Sequence, residues 1–215
     1  MDGCSEVLRA DAARNRAALV GAARAVFGER GLDAPLDEIA RRAGVGNATL
    51  YRRFPSRKDL ITAVFVDQMA DYAQAVCLAL EDPDPWHGFC EYVLHILHLQ
   101  AADRGIADLL SSNLDDASGQ LERLRAEAYH GVVELVARAK AAGVLRPDFE
   151  SQDVALILMA NAGLVHRTCE AAPNSWRRVA AFILDGLRAE AATGAPPPPS
   201  EDDVVAAMKG TAPSC

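Results

Sequence analysis

The chain predicts an all-α protein, and three observations carry that expectation. Almost every long segment repeats its apolar residues at helical spacing, and no stretch alternates polar and apolar residues as a strand does. The breaks at Gly31, Gly44, the EDPDP run at 81–85 and Gly143 to Pro147 fall between the periodic segments. With 215 residues, 50% of them hydrophobic, the chain can bury a sizeable core and hold one large or two small domains.

After a flexible stretch at 1–10, the first helix is expected from about Asp11 to Glu29, with Leu19, Ala23, Val26 and Phe27 on its apolar face and Gly31 ending it. Leu36, Ile39, Ala40 and Ala43 then stand at i, i+3, i+4 and i+7, a short helix that Gly44 closes in the left-handed conformation while Val45 plugs the corner. A second short helix follows from Asn47 to Phe54. Its Leu50 and Phe54 point inward, which leaves Asn47, Ala48, Thr49, Tyr51, Arg52 and Arg53 for outside partners. Two short helices about a tight glycine-bearing turn make a helix-turn-helix, and residues 11–57 are read as that module.

Residues 58–193 are read as a helical body. A long helix after Pro55 presents Ile61, Val64, Phe65, Met69, Tyr72 and Val76 on one side and connects the module to the body. Further helices are expected over 86–102, 106–111, 118–142, 151–170 and 175–192. The segment 151–170 is apolar nearly all round at its centre, which predicts two buried faces, one of them for a partner subunit. GAPPPPSEDD favours an extended polyproline segment, and residues 194–215 are read as a Pro-rich tail.

The net charge of −8 divides unevenly. Residues 1–60 hold 11 Lys+Arg against 8 Asp+Glu, whereas 61–215 hold 11 against 22. A small basic module that approaches phosphate, carried on an acidic body, fits that asymmetry. The longest apolar run, 154–165, is too short to span a bilayer, and the N-terminus lacks the order of a signal peptide; a soluble cytoplasmic protein with no membrane partner is expected. Cys4, Cys77, Cys90, Cys169 and Cys215 form no CxxC pair, so reduced thiols are expected.

The order of a helix ending in VFGERG followed by LDEIARRAGVGNATLYRRFPSRKDLITAVF closely resembles, over residues 14–65, the DNA-binding domain of the TetR family of bacterial transcriptional regulators. The skeleton IA-xx-AGV-xxx-TLY-xx-F-x-S-[KR]-xxL carries the resemblance. It implies a homodimer, a palindromic operator in double-stranded DNA and a small-molecule inducer, and hence a ligand-responsive repressor. Arg57 occupies the place of the family's usual phosphate-binding lysine, and Gly46 stands where many relatives cap the recognition helix with Ser or Thr.

Each residue also has its own chemistry. Tyr51 can lay its ring along the sugar and donate its hydroxyl to a phosphate; Arg53, Ser56, Arg57 and Lys58 flank the next helix start as further backbone contacts. Asn47, Thr49 and Arg52, with Ala48 beside them, are the candidates for base edges, since Asn pairs with adenine, Arg with guanine and a Thr methyl touches thymine. An effector cavity is expected between the helices at about 60–80, 86–102, 118–142 and 151–170. Phe65, Met69, Tyr72, Trp86, Phe89, Tyr92, Tyr129 and Met159 would line it, with Asn161, His95 and His98 as polar anchors, and it would take a hydrophobic or aromatic molecule. The bland alternative is that these side chains fill a tight core. Glu91, His95 and His98 share a helical stripe near Cys90, but no fourth ligand is evident, so no metal is expected. No catalytic elbow, phosphate loop or dinucleotide motif occurs, and neither an enzyme nor a cofactor is predicted. The rival reading is a helical interaction protein of the same fold, acting through a protein partner.

Overall fold

The computed structural model describes residues 3–112 and 118–209, with side chains from residue 11 onward. The N-terminal unit consists of α1 (Gly3–Arg30), α2 (Leu36–Arg42) and α3 (Asn47–Arg53). Leu19, Ala23, Val26 and Phe27 are buried on α1 and meet Ile39 and Ala40 of α2 and Leu50 of α3, the positions their spacing assigns. The corner between α2 and α3 closes as expected. Gly44 has φ +70°, its N–H donates to Arg41 O at 3.2 Å, and Val45 N–H donates to Ala40 O at 3.0 Å. Those two bonds satisfy carbonyls that the end of α2 would otherwise leave open, and Val45 packs on the core.

A capping box starts α4 (Arg57–Glu81): Ser56 Oγ accepts from Asp59 N–H at 3.2 Å, and Asp59 accepts in return from Ser56 N–H at 2.9 Å. The helix buries Ile61, Val64, Phe65, Met69, Tyr72 and Val76, and packs along α7 (Gln120–Ala141) more extensively than any other pair of helices. Full burial of a side chain such as Met69 contributes about 1.5–3 kcal/mol. α5 (Pro85–Ala102), α6 (Arg104–Leu110), α8 (Ser151–Thr168) and α9 (Ser175–Leu187) complete the body. Among the described residues no helix is long and apolar enough to cross a membrane.

Three expected boundaries are corrected. Residues 1–10 were expected to precede the first helix, yet α1 runs from Gly3, because the stretch from Cys4 to Ala10 contains no proline or glycine to stop it. α9 ends at Leu187 instead of Ala192. The chain turns out there so that Leu187 O accepts from Arg146 N–H at 2.9 Å and Ala189 N–H donates to Val144 O at 3.1 Å, followed by a single 3₁₀ turn at Ala189–Ala191. Nor is 194–215 a plain tail. Glu201–Met208 form α10, capped by Ser200 Oγ, which accepts from Asp203 N–H at 3.2 Å, and the helix docks on α8 with Val204 buried. Residues 210–215 lie outside the described part.

Candidate DNA interface and effector cavity

α3 offers its polar face to solvent because Leu50 is spent on the core. Tyr51 is 53% exposed. Asn47, Ala48, Arg52 and Arg53 are exposed as well, and Thr49 is half-buried. Gly46 caps the helix with backbone alone: its carbonyl accepts from Thr49 N–H at 2.9 Å, and no side chain contributes. The surrounding charges sharpen the picture. Arg30 is paired with Glu38 and Arg42 with Glu29, whereas among the described residues Arg52, Arg53 and Lys58 form no ion pair. Two arginines behind the recognition helix are thus neutralised, while the cations on it and beside it are left available.

Two of the expected contacts do other work. The Ser56 hydroxyl is engaged with Asp59, donating at 2.8 Å while it caps α4. Arg57 is half-buried, and its Nη1 donates to Leu32 O at 2.6 Å and Ala34 O at 2.7 Å. Its guanidinium therefore braces the turn between α1 and α2, and the charge at this position is legible in sequence while the buried partners are not.

The same turn is held from the body side. Asp108 on α6 accepts from Leu32 N–H at 2.9 Å, and Asp103 pairs with Arg24 of α1 at 2.9 Å. Burial pushes the Asp108 carboxyl above its usual range, and the Leu32 N–H opposes that shift. Gly31 permits the approach. It has φ +81°, and a Cβ there would stand 2.3 Å from Asp108 Oδ2.

A cavity of about 260 Å³ lies between α4, α6, α7, α8 and α10. Tyr72, Leu110, Val132, Val154 and Leu158 make its apolar floor, and Ala126, Ala155, Val204, Val205 and Met208 its sides. Polar groups are few. Tyr129 donates its hydroxyl to Glu201 Oε1 at 2.7 Å and stands 3.3 Å from Ser151 Oγ, while Glu122, Gln152 and Arg125 complete the rim. Arg125 is fixed by the carbonyls of Leu109 at 3.2 Å and Ser112 at 3.0 Å.

Of the expected lining, Tyr72 and Tyr129 reach this cavity. Phe65 and Met69 are fully buried in the core, with Phe65 stacked on Phe27 of α1 at 6.2 Å. Phe89 is packed between Trp86 and Phe149, and half-buried Trp86 is covered by Arg188 at 4.6 Å. Tyr92 sits behind Tyr72 and donates to its hydroxyl at 3.2 Å. Asn161 is an internal strut, donating to Gln100 Oε1 at 2.8 Å and to Leu97 O at 3.4 Å, and Met159 is half-buried away from the cavity. Exposed His95 lies in a shallow surface groove with Glu91, His98 and Trp176; among the described residues no three His, Cys, Asp or Glu side chains converge as metal ligands. α5 thus backs the cavity instead of lining it. Cys77, Cys90 and Cys169 are unpaired, and the side chains of Cys4 and Cys215 fall outside the described part.

Of the lining residues missed on α7 and α8, Ala126, Val132, Val154, Ala155 and Leu158 are small or aliphatic and read as core, while Glu122, Arg125 and Gln152 read as a solvated face. α10 did leave a signal: Ser200 three residues before Asp203, with Glu201, Asp202 and Asp203 in one acidic first turn, is a helix start.

Residues 19–64 match the model of the bacterial regulatory proteins of the tetR family, and residues 84–189 match that of the SbtR-like transcriptional regulator C-terminal domain. No curated protein sequence matches the chain. Among solved structures, the TetR transcriptional regulator SCO0520 from Streptomyces coelicolor is 34% identical, with 80% of this chain and 98% of that one covered and a TM-score of 0.50. A TetR regulatory protein from Mycobacterium vanbaalenii is also 34% identical, over 84% and 99% of the two chains, with a TM-score of 0.48. FadR from Bacillus subtilis, solved in complex with stearoyl-CoA, shares the fold at 16% identity and a TM-score of 0.57, over 78% and 96%. The chain belongs to the TetR family of bacterial transcriptional regulators, with an N-terminal helix-turn-helix DNA-binding domain and a C-terminal ligand-binding domain.

Proposed function

We propose that this regulator is a repressor that binds a palindromic operator as a homodimer and leaves it when a small, largely apolar molecule enters the cavity. One observation carries the coupling: α6 holds Leu110 in the cavity wall and, two residues earlier, Asp108 on the Leu32 N–H of the DNA-binding domain. A ligand that displaces Leu110 shifts Asp108 with it, and the turn braced by Arg57 follows. By linkage, an effector that prefers the displaced arrangement weakens operator binding by the same free energy, and about 1–3 kcal/mol of coupling gives roughly 5- to 150-fold release.

The homodimer reading rests on α8 and α9. Phe182 is 61% exposed, and Val179 on the same helix and Leu156 on α8 are exposed as well, apolar surface of the kind two-fold pairing covers. Ala160 and Gly163 are exposed on α8 and allow close approach. Such a pair would set its recognition helices about 34–36 Å apart, one turn of duplex, or a multiple of it. On α3, Tyr51 and Arg53 would take phosphates, with Lys58 beside them, while Asn47, Thr49 and Arg52 would read bases and Ala48 would lie against the groove.

Selection of bound fragments from random DNA tests the proposal. It should return an inverted repeat, with affinity falling on a log-log salt slope of about −0.9 per phosphate contact. Recovery of no motif together with salt-independent binding would refute it. Light scattering that finds a monomer at micromolar concentration would refute the dimer.

A further inference from the structure

One residue of the cavity wall carries a polar group that the protein leaves half used. Tyr72 is only 8% exposed; its hydroxyl accepts from Tyr92 at 3.2 Å, and among the described residues its own proton meets no acceptor. Burial raises its pKa, so at neutral pH the group is a phenol with a proton to donate. A buried donor without an acceptor is costly, and a ligand that supplies one gains what the empty site lacks.

A second feature is the origin of one wall. Val204, Val205 and Met208 close the cavity from α10, across from Val154, Ala155 and Leu158 of α8. These α10 residues fall beyond the 84–189 stretch matched by the C-terminal domain model. α10 is reached through the proline run and carries a mostly exposed outer face, so the Tyr129–Glu201 hydrogen bond and the buried Val204 hold it in place. An apolar cavity of about 150 Å³ accommodates benzene. With α10 seated, about 260 Å³ is room for one substituted ring.

We propose that the cavity takes a compact, largely apolar molecule with a hydrogen-bond acceptor at its buried end, received by the Tyr72 hydroxyl, and that α10 sets the upper limit on its length. The proposal rests on reading this cavity as the effector site. Ligand-detected NMR on the DNA-free protein tests it with three probes. Acetophenone and ethylbenzene share size and ring but differ in the carbonyl acceptor, and octanophenone keeps the acceptor on a longer chain.

Acetophenone should bind roughly tenfold tighter than ethylbenzene, and Tyr72→Phe should bring the two nearly level. Octanophenone should gain about tenfold relative to acetophenone when residues 193–215 are removed. Met208→Ala, which lowers the wall without removing it, should give a smaller gain in the same direction and serves where the truncated chain folds poorly. Equal binding of acetophenone and ethylbenzene by the intact chain overturns the acceptor assignment while leaving the cavity as a binding site. An octanophenone ratio unchanged by both α10 variants overturns the length limit. Binding of none of the three overturns the ligand class and the effector-site reading together, and leaves DNA binding untouched.

Discussion

At the start of α4 the outward-facing side chains of residues 47–53 are those that helical spacing puts there; farther along it the cavity wall is built from residues that spacing alone assigns to a core. Exposure on a short helix is a local property. Once Leu50 is buried, Tyr51, Arg52 and Arg53 have to face away. Concavity is not local. Phe65, Met69 and Phe89 carry the same apolar signal as Tyr72, but they fill the core, Phe65 on Phe27 and Phe89 on Phe149, while Tyr72 shares the cavity lining with small Ala126 and Ala155 and leaves space. An exposed polar face can thus be read from one helix, whereas a cavity depends on how far apart several helices stop.

Tyr51 and Arg57 give the strongest test of that contrast. Tyr51→Ala should lower operator affinity roughly ten- to hundredfold, the value of a hydrogen bond to a charged group of about 1.5–3 kcal/mol, with no change in melting temperature. Arg57→Ala should do the reverse in kind: it leaves the carbonyls of buried Leu32 and Ala34 without their donor and should cost about 1–3 kcal/mol of stability. Anisotropy on the selected operator and a thermal melt, run side by side, separate the two. An Arg57→Ala protein as stable as the parent would return that residue to the DNA-contact class.

The fold was largely legible. The period of apolar residues placed nearly every helix, and Gly44 marked the corner between α2 and α3 because few residues other than glycine take φ +70° there. The cavity was legible only at Tyr72 and Tyr129, since large residues that line a hole and large residues that fill one are chosen by the same pattern. Leu145 and Arg188 meet across the end of α9, and no local signal marks a contact between segments that far apart.

Gly31→Ala probes the junction between the two regions. The left-handed backbone costs a β-carbon about 1–2 kcal/mol, and the added methyl also meets the Asp108 carboxylate. Urea denaturation should register at least that loss. Effector-induced release should weaken along with it, because Asp108 can no longer hold Leu32 N–H at 2.9 Å. Unchanged release in a destabilised protein would show that the coupling runs elsewhere.

Removal of residues 193–215 is expected to be milder. The loss is bounded by the burial of Val204, about 1.5–3 kcal/mol, together with the exposed Tyr129–Glu201 hydrogen bond, before the ordering of α10 is counted against them. Operator affinity without effector should hold, because α10 rests on α8 and the cavity rim, away from α3. A fall in stability well beyond that bound would mean that α10 supports more of the body than its single buried residue.

The smallest expected effect lies at the α4–α5 corner, the end of α4 farthest from the recognition helix. The EDPDP run marks a turn there, but nothing in it announces that Asp82 will face His87 at 2.6 Å. Asp82 raises the His87 pKa above 6.5, and His87 in turn holds the Asp82 carboxyl below its usual 3.8. The imidazolium's contribution to stability is therefore complete below about pH 6.5 and disappears as pH rises through the raised folded value. The carboxylate's contribution is complete above about pH 3.8 and disappears as pH falls through its lowered value, so the pair is strongest between those limits. Both groups sit at the surface, and salt screens them. Melting temperatures of the parent and His87→Gln should differ slightly at pH 5.5 and in low salt, and converge by pH 8.5. The backbone of the corner should persist in the variant, since Arg138 also holds it through the Leu80 carbonyl at 2.9 Å. A gap between parent and variant that is the same at both pH values would mean that His87 acts by packing and not by charge.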